Sequence, residues 1–120
     1  AREEVDSFYR QCDVFLFPSF REPSGNVVLE ALSHGLPVIA ADSGGPGYVV
    51  TDECGLKAIP DSPQDYAQSL CQQIELLATD RQLLQKLSAG AQKHISENFL
   101  WRNKIAWMVR LYQEVTERQL

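Results

Sequence analysis

Glu22 and Glu30 are the residues whose type and spacing point most directly to chemistry: seven residues separate them, and a loop turns into a helix between them. The loop, residues 18–25, contains Pro23, which biases Glu22 away from helical backbone, and Gly25, which permits a close approach of backbone to a ligand. A helix is predicted over residues 26–34, with Gly35 placed to end it and Pro37 beyond. Unpaired N–H groups at a helix start, reinforced by the helix dipole, attract phosphate, and Gly25, Asn26 and Val27 would supply them. A carboxylate is a poor phosphate ligand but a good acceptor for hydroxyl groups. Two carboxylates bracketing an anion site therefore suggest a ligand with hydroxyls on both sides of a phosphate. A nucleotide sugar has that layout: sugar, diphosphate, ribose.

Competing candidates carry less. Asn26 serves equally as a helix cap and as a ligand contact. His34 falls at the far end of its helix, away from the phosphate-binding end, and reads as a C-terminal histidine favoured by the dipole. His94 reads as a surface residue of a long amphipathic helix. Ser24 and Ser43 have no histidine partner within reach by sequence, which argues against a nucleophilic triad. Trp101, Trp107 and Tyr112 recur at helical spacing and read as core or interdomain packing.

The elements that must position this segment follow from periodicity. Val5, Phe8, Tyr9 and Cys12 mark a helix over residues 2–11. The apolar run 14–17, ended by Pro18, reads as a strand buried on both faces, as does the run 38–41. Residues 42–47 form a glycine-rich loop, 48–51 a helical turn and 55–59 a weaker strand. Ser62 is a candidate N-cap with Pro63 in the first helical position. The next helix has Ala67, Leu70, Cys71, Ile74 and Leu77 as its apolar stripe. Asp80 opens another with Leu84, Leu87, Ala91 and Ile95 inward, closed by Asn98 and Phe99. A last helix carries Trp101, Ile105, Met108, Tyr112 and Val115. Alternating strands and helices imply an α/β fold, a parallel sheet of about three strands flanked by helices. A doubly wound nucleotide domain usually has about five or six strands. The expectation is therefore a single partial Rossmann-like domain over residues 1–120, with further strands before residue 1, cut from a longer chain.

Composition sets the outer bounds. The chain has 120 residues, 44% hydrophobic and 22% charged, ordinary globular values that exclude disorder. Eleven basic against sixteen acidic residues, a net charge of −5 and no basic run argue against nucleic acid as a partner. Cys12, Cys54 and Cys71 are too far apart for a disulfide framework or a structural zinc site and read as buried reduced thiols. No apolar stretch approaches the roughly 20 residues of a membrane span, and no signal peptide is recognised. The setting expected is cytoplasmic, with the inner membrane face as a peripheral alternative.

The segment 13–40, DVFLFPSFREPSGNVVLEALSHGLPVIA, resembles the signature of family 4 (group 1) retaining glycosyltransferases, whose hallmark is two glutamates separated by seven residues, E-x7-E. The likeness continues into Gly44-Gly45 and to the Phe99-Leu100-Trp101 step, covering about residues 5–115. Ser24 departs from the phenylalanine of many relatives, and Pro46-Gly47-Tyr48 from the acidic residue that often follows the glycine pair. The resemblance implies the distal part of the C-terminal, donor-binding domain of the GT-B fold, in which two Rossmann-like domains face a cleft. It implies transfer of a sugar from a nucleoside-diphosphate sugar to an acceptor, with retention and without a metal or other cofactor. Glu22 would be catalytic, touching donor hydroxyls near the reacting carbon. Glu22, Ser24, Gly25, Asn26 and Val27 would bind the sugar and diphosphate, and Glu30 the ribose. The acceptor, a glycan, lipid or small molecule, would be chosen by the missing N-terminal domain, and the piece alone would not catalyse. A non-catalytic Rossmann-like assembly module and a GT-B sugar-nucleotide epimerase are the alternatives.

Overall fold

In the computed structural model, which describes residues 1–118, helices and strands alternate and then give way to helices alone. The order is α1 (Arg2–Gln11), β1 (Phe15–Phe17), α2 (Asn26–Ser33), β2 (Val38–Ala41), α3 (Gly44–Val49), β3 (Gly55–Ala58), α4 (Pro63–Thr79), α5 (Arg81–Asn98) and α6 (Trp101–Arg118). The strands form one parallel sheet in the order β1-β2-β3, with Phe15 opposite Val38 and Val38 opposite Gly55.

β2 is the structural centre because every one of its residues is buried. Successive side chains of a strand point to opposite faces, and β2 divides its four residues accordingly. Val38 and Ala40 join a cluster with Val28, Ala31 and Leu32 of α2, Val49 of α3 and Ala91 of α5. Ile39 and Ala41 join a second cluster with Tyr66, Leu70 and Leu77 of α4 and Leu84 and Leu87 of α5. The sheet is thus a middle layer with helices on both faces, the α/β architecture that the alternation implies.

Local chemistry sets the helix starts. Ser62 caps α4 by accepting from the Asp65 N–H at 3.2 Å, with Pro63 in the first turn, and Asp80 caps α5 by accepting from the Leu83 N–H at 3.0 Å. Gly35 ends the α2 segment at φ +75°, a backbone region suited to glycine.

Several expectations are corrected. The inward stripe of α4 is Tyr66, Leu70, Gln73 and Leu77, whereas Ala67, Cys71 and Ile74 are exposed. Those three lie one residue on from the inward positions, a rotation of about 100° on a helix of about 3.6 residues per turn. Cys12 and Cys71 are exposed, and of the three thiols only Cys54 is buried. On α1, Val5 and Phe8 are exposed, as is Cys12 just beyond it, and of the apolar stripe Tyr9 packs on the core. β1 is not buried on both faces: Leu16 is 44% exposed, and β1 is the edge strand that pairs with β2 alone among the described residues. The glycine-rich stretch after β2 is helical from Gly44, earlier than the turn expected at 48–51. Trp101, Trp107 and Tyr112 are not core residues; α6 packs against α5, and none of its described residues is buried.

The corrected α4 stripe makes a direct prediction. Leu77→Ala should destabilise the fold by about 3 kcal/mol, as truncation of a fully buried leucine does, while Cys71→Ala should stay within about 0.5 kcal/mol of the parent. Urea unfolding of both variants checks this, and equal losses would restore the original stripe.

Candidate functional site

The loop between β1 and α2 is held from three directions. Behind it, the Tyr66 hydroxyl of α4 donates to the Pro18 carbonyl at 2.7 Å, and the Phe20 ring meets the Tyr66 ring edge-on with centroids 6.3 Å apart. Beside it, the Ser43 hydroxyl donates to the Phe20 carbonyl at 3.2 Å. Beneath it, the Gly45 N–H donates to the Glu22 carbonyl at 2.9 Å. That last contact brings two backbones together with no space for side chains: a Cβ on Gly45 would lie 2.6 Å from the Pro23 carbonyl oxygen. The α3 side of this contact is braced in turn by Lys57, whose ammonium donates to the Gly47 carbonyl at 3.1 Å and lies 3.3 Å from Asp42 Oδ1.

Gly25 is the N-cap of α2, at φ 69° and ψ 26°. This left-handed conformation is accessible to glycine at little penalty, and it lets the Gly25 carbonyl accept from the Val28 and Leu29 N–H groups at 3.0 and 3.2 Å. Asn26 is therefore the first helical residue and not the cap that the sequence allowed.

The Glu22 carboxylate folds back over this helix start. Its Oε1 accepts from the Ser24 hydroxyl at 2.7 Å, the Ser24 N–H at 3.0 Å and the Gly25 N–H at 3.2 Å. Hydrogen bonds to the charged form favour ionisation. The Ser24 hydroxyl first, then the Ser24 and Gly25 amides, hold the Glu22 carboxyl below the usual carboxylate range, against a smaller opposing effect of burial. The Gly25 amide expected to point at phosphate is thus engaged by Glu22. The Asn26 and Val27 amides have no acceptor among the described residues.

α2 then divides cleanly. Val28, Ala31 and Leu32 are buried, while Asn26, Val27 and Glu30 are exposed. Glu30 lies four residues beyond Asn26, about 6 Å along the helix axis, on the same solvent-facing side. Its Oε2 accepts from the Tyr9 hydroxyl of α1 at 3.4 Å. Partial burial, and then the negative charge and hydrogen bond of Glu30, raise the Tyr9 phenol above its ordinary value and keep it a donor. Tyr9 also stacks on His34 with ring centroids 4.9 Å apart.

Sequence reasoning missed Tyr9 as a partner of Glu30, counting it only as an apolar member of the α1 stripe. His94 was also misread. It is partly buried, with Nε2 2.8 Å from the Val49 carbonyl and Nδ1 3.2 Å from the Asn98 amide nitrogen. Its spacing after Leu87 and Ala91, which places it on the inward side of α5, was the signal available. His34, at the C-cap of α2, lies 3.3 Å from Asp6 and takes a structural place, as expected.

A cavity of about 660 Å³ opens at the other end of α2, with Tyr9, Arg10, His34, Gly35, Arg81 and Gln92 among its walls. None of the predicted site residues lines it, and the carbonyl end of a helix disfavours phosphate. The loop and the outer face of α2 are therefore the candidate site. Among the described residues, no three His, Cys, Asp or Glu side chains converge as metal ligands would, and no helix is long and apolar enough to cross a membrane.

Comparison with known proteins gives a consistent set of likenesses. A family model described as "Glycosyl transferases group 1" matches residues 1–76. The chain is 36% identical over 114 residues to a D-inositol 3-phosphate glycosyltransferase of Streptomyces bingchenggensis, covering 94% of this chain and 24% of that protein. Sucrose-phosphate synthase from Thermosynechococcus elongatus superposes with a TM-score of 0.77 at 28% identity, over 97% of this chain and 28% of that one. Alr3699/HepE of Anabaena, solved in complex with UDP, superposes with a TM-score of 0.62 at 27% identity, over 93% and 28% of the respective chains. The chain thus spans about a quarter of the length of these relatives.

The carboxylate geometry predicts a pH dependence. A group whose folded-state pKa is depressed contributes stability that is present above its unfolded value and lost as pH falls through the folded value. Wild type should therefore exceed Glu22→Gln in stability at neutral pH, with the difference closing in acid once the carboxyl protonates. Urea unfolding of both proteins between neutral pH and about pH 3 reads the difference directly; one that is unchanged or grows in acid contradicts the arrangement.

Proposed function

The chain belongs to the group 1 glycosyltransferases, and on that premise we propose that the loop after β1 and the outer face of α2 form the donor site for a nucleoside-diphosphate sugar. One observation carries the reading. The free amides of Asn26 and Val27 and the Glu30 carboxylate share one exposed side of α2, and the ionised Glu22 carboxylate lies at its start.

The roles follow from the chemistry of each group. Breaking the bond between the sugar's anomeric carbon and the diphosphate leaves negative charge on the leaving diphosphate. Preorganised amides at a helix start stabilise such charge as it develops. Asn26 and Val27 take that role, with the Gly25 backbone shaping the turn. Glu22 accepts from hydroxyls of the donor sugar near the reacting carbon, and Glu30 accepts from those of the ribose. Ser24 borders the sugar and reaches it through Glu22. The acceptor hydroxyl then bonds through its oxygen to the anomeric carbon on the face that the diphosphate leaves, and its proton passes to the departing diphosphate, giving retention. No metal or other cofactor is assigned a part. Because the chain spans a quarter of its relatives, transfer and acceptor choice belong to the longer protein, for which a cytoplasmic setting is proposed. The UDP bound by Alr3699/HepE makes a uridine nucleotide the natural first ligand to test.

The test separates the two glutamates. NMR titration of this chain with UDP should shift the amides of residues 25–30. Glu30→Gln should weaken UDP binding about tenfold, the effect of losing hydrogen bonds to a charged group, while Glu22→Gln should leave it nearly unchanged, since UDP has no sugar at the reacting position. In the full-length protein, Glu22→Gln should lower transfer from an active nucleotide sugar about 10²-fold. Undiminished transfer by that variant, or UDP shifts confined to other parts of the fold, would reject the assignment.

A further inference from the structure

All three hydrogen bonds to Glu22 fall on a single carboxylate oxygen. Oε1 receives the Ser24 hydroxyl, the Ser24 N–H and the Gly25 N–H, whereas Oε2 has no partner among the described residues. The hydroxyl contact is the shortest of the three, 2.7 Å against 3.0 and 3.2 Å, as befits a charge-assisted O–H donor. Pro23 contributes no N–H of its own and restricts the backbone, so the next available donors are those of Ser24 and Gly25. No Lys, Arg or His pairs with Glu22 among the described residues; the nearby Arg21 guanidinium lies over the Phe20 ring, 5.8 Å from its centroid.

We propose that Ser24 is a positioning residue for Glu22: its hydroxyl and N–H pin Oε1 against the start of α2, so that Oε2 alone is presented outward to accept a hydrogen bond from ligand. The clamp rests on geometry alone, while the identity of what Oε2 meets rests on the donor-site reading above. Two consequences follow. The Ser24 hydroxyl has given its only hydrogen to Glu22, so it acts on a sugar through Glu22 and is not itself a hydroxyl donor to it. A side chain with three rotatable bonds is also held in one conformation, which removes ordering that binding would otherwise require.

Carbon-detected NMR of this chain with labelled glutamate tests the clamp without any assumption about activity. In Ser24→Ala the Glu22 carboxyl should titrate at higher pH than in wild type. Ser24→Thr, which keeps a hydroxyl, should restore the wild-type midpoint. A merely structural role for Ser24 would not follow the hydroxyl in this way. An unchanged Glu22 midpoint in a folded Ser24→Ala variant, or no recovery in Ser24→Thr, would overturn the proposal. In the full-length protein with an active nucleotide sugar, Ser24→Ala should lower kcat about tenfold, since misplaced catalytic geometry can lose up to about 10²-fold, and Ser24→Thr should recover it. The two readings fail separately. Normal transfer by Glu22→Gln would remove the donor role yet leave the titration result standing, and an unmoved midpoint would remove the clamp yet leave the donor site intact.

Discussion

The candidate site depends on one backbone-to-backbone contact, the hydrogen bond from the Gly45 N–H to the Glu22 carbonyl. It ties the loop after β1 to the first turn of α3, just beyond the carboxyl end of β2, and open α/β sheets place their ligands at the carboxyl ends of adjacent parallel strands. The Glu22 main chain is thereby fixed before its side chain is placed. The fixed main chain directs the carboxylate at the Ser24 and Gly25 amides, and the turn at Gly25 aims the axis of α2. Any side chain at position 45 would push the loop away from α3, so the glycine is required by proximity to its neighbour and not by its own dihedral angles. The brace behind it is polar and local: Lys57 on β3 reaches the Gly47 carbonyl and Asp42, so all three strands contribute to holding one short loop.

How far the sequence reveals this arrangement depends on the range of the interaction. The elements were legible because their signals are local. Apolar runs marked the strands, and Ser62, Pro63 and Asp80 marked helix starts. The E-x7-E spacing singled out the segment proposed as the site, and its burial pattern on α2 follows from ordinary helical periodicity. What stayed hidden needed contacts between distant segments. Nothing local says whether Ala67 or Tyr66 faces the sheet, because both choices give an apolar stripe, and only packing of α4 on β2 and β3 decides it. Tyr9 looked apolar until α1 and α2 were set side by side and its hydroxyl met Glu30. Gly44 and Gly45 read only as part of a glycine-rich loop, and their close approach to residues 22–24 was not visible from the sequence. The internal use of the Gly25 amide was likewise invisible, because the same loop chemistry suits a phosphate or a neighbouring carboxylate.

That last point resolves an electrostatic difficulty. A chain of net charge −5 that also places a carboxylate at a helix start would seem a poor host for a diphosphate. Charges elsewhere on the surface matter little, since screening is largely complete beyond about 8 Å at physiological salt. The local conflict is settled by dividing the donors: Glu22 takes the hydrogens of Ser24 and Gly25, and the amides of Asn26 and Val27 remain for a second anion. Under the proposed assignment, the two anions would use different hydrogens of one helix end instead of competing for the same ones. In that arrangement, the Glu22 clamp keeps the carboxylate on the Ser24 and Gly25 hydrogens and away from the amides that the diphosphate would use. The loop therefore has to be rigid where a flexible anion-binding loop would otherwise suffice, and the contacts of Tyr66, Ser43 and Gly45 with consecutive parts of its backbone supply that rigidity.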